Sequence, residues 1–249
     1  MKQPVFEYTK GMIRTETNYC PGCTHGISHR LIMEVLDEKG KLGETIGCGP
    51  IGCSVMAHKF MNVDMMECAH GRAPAIASGI RRVHPDKLIF TYQGDGDLAS
   101  IGTAEFIHAA ARGEHITIFF VNNAIYGMTG GQMAPTTLIG QKSTTTQTGR
   151  TVAQAGAPMR VSELVSTLDG AVYIERVALN SPANINKAKK AVRKAFDVQE
   201  KKLGFSMVEF VSTCPTNWGL SPLDAIDFLN EKMLPYYPLG VFKSLEGVD

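Results

Sequence analysis

No apolar run in this 249-residue sequence approaches the roughly 20 residues that a membrane-spanning helix needs. The opening segment, Met1 to Gly11, carries Lys2, Pro4, Glu7 and Lys10 and lacks the hydrophobic core of a secretory leader. The expectation is a cytoplasmic chain that does not enter a membrane. An excess of either charge is missing too. The 25 basic and 24 acidic residues leave a formal net charge of +1, which offers no bulk attraction to nucleic acid or to anionic lipid. Clustered lysines occur only at 187–190 and 201–202, on the exposed side of an expected helix. Internal repeats and a linker-like change of composition are also absent. The chain therefore reads as one domain, 1–249, long enough to bury a large core.

What is present centres on the stretch from Gly94 to Gln132. An apolar run, Leu88 to Tyr92, predicts a strand and leads into Gly94-Asp95-Gly96-Asp97. A helical pattern from Ile101 to Arg112 follows. A second apolar run, Ile116 to Val121, then leads into Asn122-Asn123-Ala124-Ile125-Tyr126-Gly127-Met128-Thr129-Gly130-Gly131-Gln132. Parallel strands joined by a right-handed helical crossover bring both turns to the carboxyl edge of a sheet, where open α/β sheets bind ligands. The fold class is thus α/β, an open and mostly parallel sheet with helices on both faces. Asp95, Asn123 and a nearby backbone carbonyl are hard oxygen donors suited to Mg²⁺ that also holds phosphate. Gly94 and Gly96 permit a diphosphate to approach the backbone closely.

The remaining pattern supplies the other layers. Helices are expected over 26–39 (with Thr24 as its cap), from Pro74 through Arg81, and over 161–168, 184–202 and 223–232. Strands are expected at 44–47, 172–177 and 205–211, with a Pro/Tyr-rich tail over 234–249. Residues 133–157 are rich in Thr, Gly and Gln, and a loop this long is expected to be functional or mobile; its Thr-rich part, 143–148, following Gln132, is expected to be a mobile cover over the site.

Six cysteines are present, and in a reducing compartment clustered thiols favour metal over disulfide. Cys20 and Cys23 have the spacing of two ligands to one centre. Cys53, in a glycine turn, and Cys214, directly after the last core strand, are the favoured further ligands, and Cys48 competes with them. Cys48 and Cys68 are read as small buried hydrophobes. Four thiolates suit zinc or a [4Fe–4S] cluster, and spacing alone does not choose between them. His25, His29, His58, His84, His108 and His115 lack partnered spacing and read as surface or core.

Taken together, Cys20-Pro21-Gly22-Cys23, Gly52-Cys53-Ser54, His70-Gly71-Arg72-Ala73, the Gly94 turn, the Asn122 to Gln132 segment and Cys214-Pro215-Thr216 resemble the β subunit of 2-oxoacid:ferredoxin oxidoreductases. The likeness is strongest to the short-subunit type acting on 2-oxoglutarate or branched-chain 2-oxoacids, and it covers nearly the whole chain. It implies a thiamine-diphosphate-binding fold. Asp95, the Asn123 side chain and the Ile125 carbonyl match the Mg²⁺ ligands, and Gly94, Gly96 and Asp97 match the diphosphate turn. Met128 and Thr129, beside Gly127, match positions near the thiazolium ring. Cys20, Cys23, Cys53 and Cys214 match the ligands of a [4Fe–4S] cluster close to the cofactor. His70 and Arg72 match a motif near the cofactor, with His70 a candidate diphosphate contact and Arg72 a candidate bridge to a carboxylate.

The implied reaction is the oxidative decarboxylation of a 2-oxoacid to acyl-CoA and CO₂, consuming coenzyme A and passing electrons singly to ferredoxin, in anaerobic metabolism. No glutamate here sits in a matching cofactor-activating motif, so the resemblance assigns that residue to a partner α subunit. The chain also lacks the dense four-cysteine run of a bacterial ferredoxin, which assigns further clusters to γ and δ ferredoxin-like subunits. Two other interpretations compete. A non-redox thiamine-diphosphate 2-oxoacid decarboxylase subunit explains Asp95 and Asn123 but not the cysteines. A zinc-binding interaction module using Cys20, Cys23, Cys48 and Cys53 leaves Gly94 to Gln132 without a purpose.

Overall fold

A computed structural model describes residues 7–245, so the ends of the expected 1–249 domain, 1–6 and 246–249, lie outside the described residues. The principal elements are α1 (His25–Glu38), β1 (Thr45–Pro50), β2 (Asp64–Cys68), α2 (Ala73–Val83), β3 (Leu88–Gly94), α3 (Thr103–Ala111) and β4 (Thr117–Asn122). After a long connection come α4 (Val152–Ala155), α5 (Val161–Ser166), β5 (Ala171–Ala178), α6 (Pro182–Glu200), β6 (Phe205–Val211), α7 (Pro215–Trp218), α8 (Pro222–Phe228), α9 (Leu234–Tyr236) and β7 (Gly240–Ser244).

The strands form one sheet in the order β2-β1-β3-β4-β6-β5-β7, parallel throughout except for β7. Its central strands are buried at nearly every step, and mostly apolar, because both faces are covered. Phe90 and Tyr92 of β3 and Phe119 and Val121 of β4 pack under α1 and α6. The alternate residues, Ile89, Ile118 and Phe120, pack with α2, α3 and α5. These helices present their apolar stripes to the sheet, and α6 is capped by the Ser181 side chain, which accepts from Asn184 N.

Several local expectations are corrected. Thr24 does not cap α1; its hydroxyl pairs with that of Ser212 at 2.5 Å, tying the start of α1 to the segment after β6. The first strand runs to Pro50 rather than stopping at Gly47. The helix expected over 101–112 begins only at Thr103, after a widened turn over Asp97–Ile101. Gly102 lies at the division, where an added Cβ would meet the backbone of Asp97 and Gly71, so the chain turns wide to pass its neighbour. Strands β2 and β7 were not anticipated. Both are edges with mostly exposed side chains, which weakens the alternation that marks a strand.

The 133–157 segment is anchored at both ends. Arg150 is buried within it and donates to the carbonyls of Ala134, Pro135, Thr137, Ala155, Gly156 and Ala157. This one guanidinium closes both ends of the loop on itself. Thr136, Thr137 and Leu138 are buried beside it, whereas Thr144, Thr145 and the stretch from Thr151 to Gln154 are exposed.

Candidate active site

The strand order decides what meets at the carboxyl edge. Strands β1, β3, β4 and β6 are consecutive neighbours. The segments that leave them therefore bring Cys53, Asp95 and Asn123 to one crevice, with Cys214 behind its Gly127 wall. Its volume is about 560 Å³, open mouth included. All eleven positions that the sequence assigns to the cofactor line it: Cys53, His70, Gly94, Asp95, Gly96, Asp97, Asn123, Ile125, Gly127, Met128 and Thr129.

Asp95 is buried at the floor. Its Oδ1 accepts from Gly96 N at 2.9 Å, and its Oδ2 accepts from Ile125 N at 3.2 Å and from the Thr136 hydroxyl at 2.5 Å. Burial dominates these donors and pushes the carboxyl up to about 7. Such a group is held ready for a cation, because a neighbouring positive charge would restore the carboxylate. Asn123 is also buried, and its Oδ1 has no hydrogen-bond partner. A buried amide oxygen without a donor is costly unless something else satisfies it. The left-handed conformation of Ala124, at φ 57°, makes the tight turn between Asn123 and Ile125. Trp218 Nε1 donates to the Asn123 carbonyl at 3.1 Å and fixes that turn from below.

Asp97 has a different duty from that of Asp95. Its Oδ1 is 2.5 Å from His70 Nδ1 and accepts from Gly71 N, while Oδ2 accepts from Gln93 Nε2 at 2.6 Å. Asp97 thus orients the His70 ring at the crevice wall. Arg72 pairs with Glu105, the bridge to a carboxylate expected of it. Gly96 lies under the Tyr126 ring, whose hydroxyl donates to the Gly96 carbonyl, so any side chain at 96 would collide with that ring. Met128 sits at the mouth with 44% of its surface exposed, an apolar side chain with room to contact a ligand.

The four nominated cysteines are brought together beside this crevice. Gly127 separates two of them: a Cβ there would lie 3.3 Å from Cys53 Sγ and 3.6 Å from Cys214 Sγ. Cys23 N donates to Cys20 O, closing the Cys-Pro-Gly-Cys turn, and Thr213 Oγ1 donates to Gly22 O, pinning that turn beside Cys214. Burial pushes the Cys23 thiol up to about 12, with Cys214, Cys53 and Cys20 adding to it, and the Cys53 thiol up to about 11, with Cys214 and Cys20 adding to it. The group is thus poised to be stabilised by a metal centre. Among the described residues, however, no three His, Cys, Asp or Glu side chains converge tightly enough to chelate a single ion. Cys48 and Cys68 are turned into the core instead, hydrogen-bonded to each other.

Four residues escaped the sequence analysis. His25 was read as surface or core; it is buried yet also lines the crevice, stacked on Tyr19 and bonded through Nδ1 to the Tyr92 hydroxyl at 2.5 Å. Tyr19 donates to the Cys53 carbonyl at 2.9 Å. Thr136 and Tyr126 complete the set. The adjacency of Tyr19 and His25 to the cysteine pair was the available signal.

The family described as thiamine pyrophosphate enzyme, C-terminal TPP binding domain, matches residues 50–210. Ketoisovalerate oxidoreductase subunit VorA of Methanothermobacter thermautotrophicus is 46% identical over 96% of this chain and 50% of its own length. The chain spans about half the length of the curated relatives of that name. 2-Oxoglutarate synthase subunit KorB of Methanocaldococcus jannaschii is 35% identical over 87% of this chain and 78% of its own. Among solved structures, 2-oxoglutarate:ferredoxin oxidoreductase from Magnetococcus marinus, with 2-oxoglutarate, coenzyme A and succinyl-CoA bound, is similar with a TM-score of 0.80 and 25% identity. That likeness covers 99% of this chain and 87% of the other.

Proposed function

Because this chain belongs to the 2-oxoacid:ferredoxin oxidoreductases, as a subunit with the thiamine pyrophosphate-binding domain, we propose that it is the β subunit of such an enzyme and holds thiamine diphosphate, Mg²⁺ and a [4Fe–4S] cluster. The reaction is the coenzyme A-dependent oxidative decarboxylation of a 2-oxoacid, 2-oxoglutarate or 2-oxoisovalerate, with electrons leaving to ferredoxin. A partner α subunit completes the site with the activating glutamate, and γ and δ ferredoxin-like subunits carry the electrons onward. The complex works in the cytoplasm; among the described residues no helix is long and apolar enough to cross a membrane.

One observation carries this proposal. The buried, unpartnered Asn123 Oδ1 and the buried Asp95 carboxyl share a crevice with Cys53, and Cys214 lies just behind Gly127. The lining also includes no Lys or Arg among the described residues. A diphosphate entering here has its charge met by a cation on Asp95 and Asn123 rather than by a side chain.

When bound, thiamine diphosphate supplies a nucleophilic carbon and electron sink for decarboxylation, and the cluster supplies a one-electron path that zinc lacks. The chain's own residues do the rest. Asp95, Asn123 and the Ile125 carbonyl hold the cation, and Gly94 and Gly96 clear a path for the diphosphate. Asp97 keeps a proton-bearing or proton-accepting face of His70 at the wall. Met128 presents an apolar surface to the ring, excluding water from it. Tyr19 and Asn217, which donates to Cys214 Sγ at 3.3 Å, steady the cysteine cage. The place of the thiols beside the crevice speaks against a non-redox decarboxylase, whose reaction has no use for a one-electron carrier.

Anaerobic isolation of the native complex tests this. Metal analysis should find about four irons assignable to this chain, with a brown chromophore bleached on adding the 2-oxoacid and coenzyme A. A colourless chain with one zinc overturns the redox assignment.

A further inference from the structure

The oxygen accounting at Asp95 leads beyond its own turn. An ionised carboxylate offers about four lone-pair sites on its two oxygens. Oδ2 uses two, on the Ile125 N–H and the Thr136 hydroxyl, whereas Oδ1 uses one, on the Gly96 N–H. The remaining site is on Oδ1. Which oxygen stays free is therefore decided in part by Thr136, from a segment 41 residues further along the chain. Thr136 is fully buried, and its own carbonyl accepts from the Tyr237 hydroxyl at 2.5 Å. Tyr237 is fully buried as well, after α9, with the Arg176 guanidinium 5.3 Å from its ring centre. An unbroken line thus runs from the C-terminal segment through Tyr237 and Thr136 to Asp95.

We propose that Thr136, held by Tyr237, is a positioning residue for the cation site: its hydroxyl occupies Asp95 Oδ2 and so keeps Oδ1 turned to the magnesium that clamps the diphosphate. The inference rests on the cofactor assignment made above. A threonine here is not needed merely to fill space, since valine has the same shape. Its distinctive contribution is one hydrogen bond to a charged group, with the carboxylate rotation that the bond prevents. The C-terminal segment then takes part in cofactor binding without touching the cofactor.

The native complex, stripped of magnesium and supplied with saturating thiamine diphosphate, is titrated with Mg²⁺ by calorimetry. In Thr136→Val the half-saturating magnesium concentration should rise roughly tenfold, the size expected for a hydrogen bond to a charged group. Thr136→Ser, which keeps the hydroxyl, should restore it to within about twofold. In Tyr237→Phe the rise should be smaller, roughly threefold, since it loosens Thr136 without removing its hydroxyl. A Thr136→Val complex that melts earlier but binds magnesium as the unmodified one does has lost only stability, and overturns the proposal. If Thr136→Val fails to assemble, Tyr237→Phe decides, and an unchanged titration there is equally fatal. If the unmodified complex shows no magnesium-dependent binding of thiamine diphosphate, the cofactor assignment falls and takes this inference with it. A normal titration in the unmodified complex with unaltered variants removes this inference alone.

Discussion

Gly127 shows how a single missing side chain can serve a site. Its position between Cys53 and Cys214 leaves 3.3 and 3.6 Å for a Cβ, so alanine would press on Cys53 first. Gly127→Ala should lower the iron content of the chain while thiamine diphosphate still binds, at a stability cost of about 1–3 kcal/mol typical of overpacking. Iron analysis beside a cofactor titration checks this, and full iron content would show that the gap is not needed. His25 and His29 offer a second test. Burial lowers His25 to about 4, and it lowers His29 well below the ordinary imidazole range, with His25 adding to the effect. Both are neutral when folded, whereas unfolded imidazoles take up protons near pH 6.5. Their contribution to stability is therefore complete above about pH 6.5. It is lost as pH falls towards 4, by up to about 1.4 kcal/mol per pH unit for each ring. Urea midpoints at pH 7.5 and 5.5 should differ in that direction, and equal midpoints would contradict the neutral assignment.

At the level of elements, the long connection after β4 is held by an unusual device. Arg150 has no carboxylate partner among the described residues and spends its donors on six backbone carbonyls, and burial lowers its pKa. Lysine has only three donors, so Arg150→Lys leaves at least half of those acceptors unmet, each costing about 1–3 kcal/mol if it stays buried. The expected outcome is faster proteolysis within 133–157 with the sheet intact, read by mass spectrometry of the first fragments. Unaltered cleavage would show that the loop is held by other contacts. A second buried network supports the neighbouring turn. Asn122 Nδ2 donates to Glu209 Oε1, and Glu209 also accepts from Ser162 and lies 2.9 Å from Arg176 Nε. Arg176 and Glu209 are both fully buried, so their charges compensate each other where no water can. The same Asn122 side chain accepts from Ala124 N, which extends the network to the left-handed residue beside Asn123.

Across the whole molecule, the sheet order converts separate motifs into one site. Much of this was legible in the residues themselves. The apolar runs at β3, β4, β5 and β6 announced buried parallel strands because both faces of each strand are covered, which leaves a nearly unbroken hydrophobic run. The glycine and asparagine turns announced the ligand edge because strand, helix and strand in that order admit one handed crossover. The Cys-Pro-Gly-Cys spacing is equally local. Edge strands β2 and β7 were not legible, since their exposed side chains carry no period. Nor were the contacts of Thr136, Tyr237 and Arg150, which join residues distant in sequence through single hydrogen bonds. The sequence by itself determined the α/β class, the two turns and the candidate ligands, because each follows from local periodicity and local chemistry. Only the tertiary structure decided that β1, β3, β4 and β6 lie side by side, that Asn123 Oδ1 is left without a donor, and that Asp95 has one oxygen saturated and one in reserve. Those facts depend on which distant groups burial brings within hydrogen-bonding reach, and no local pattern in the chain encodes them.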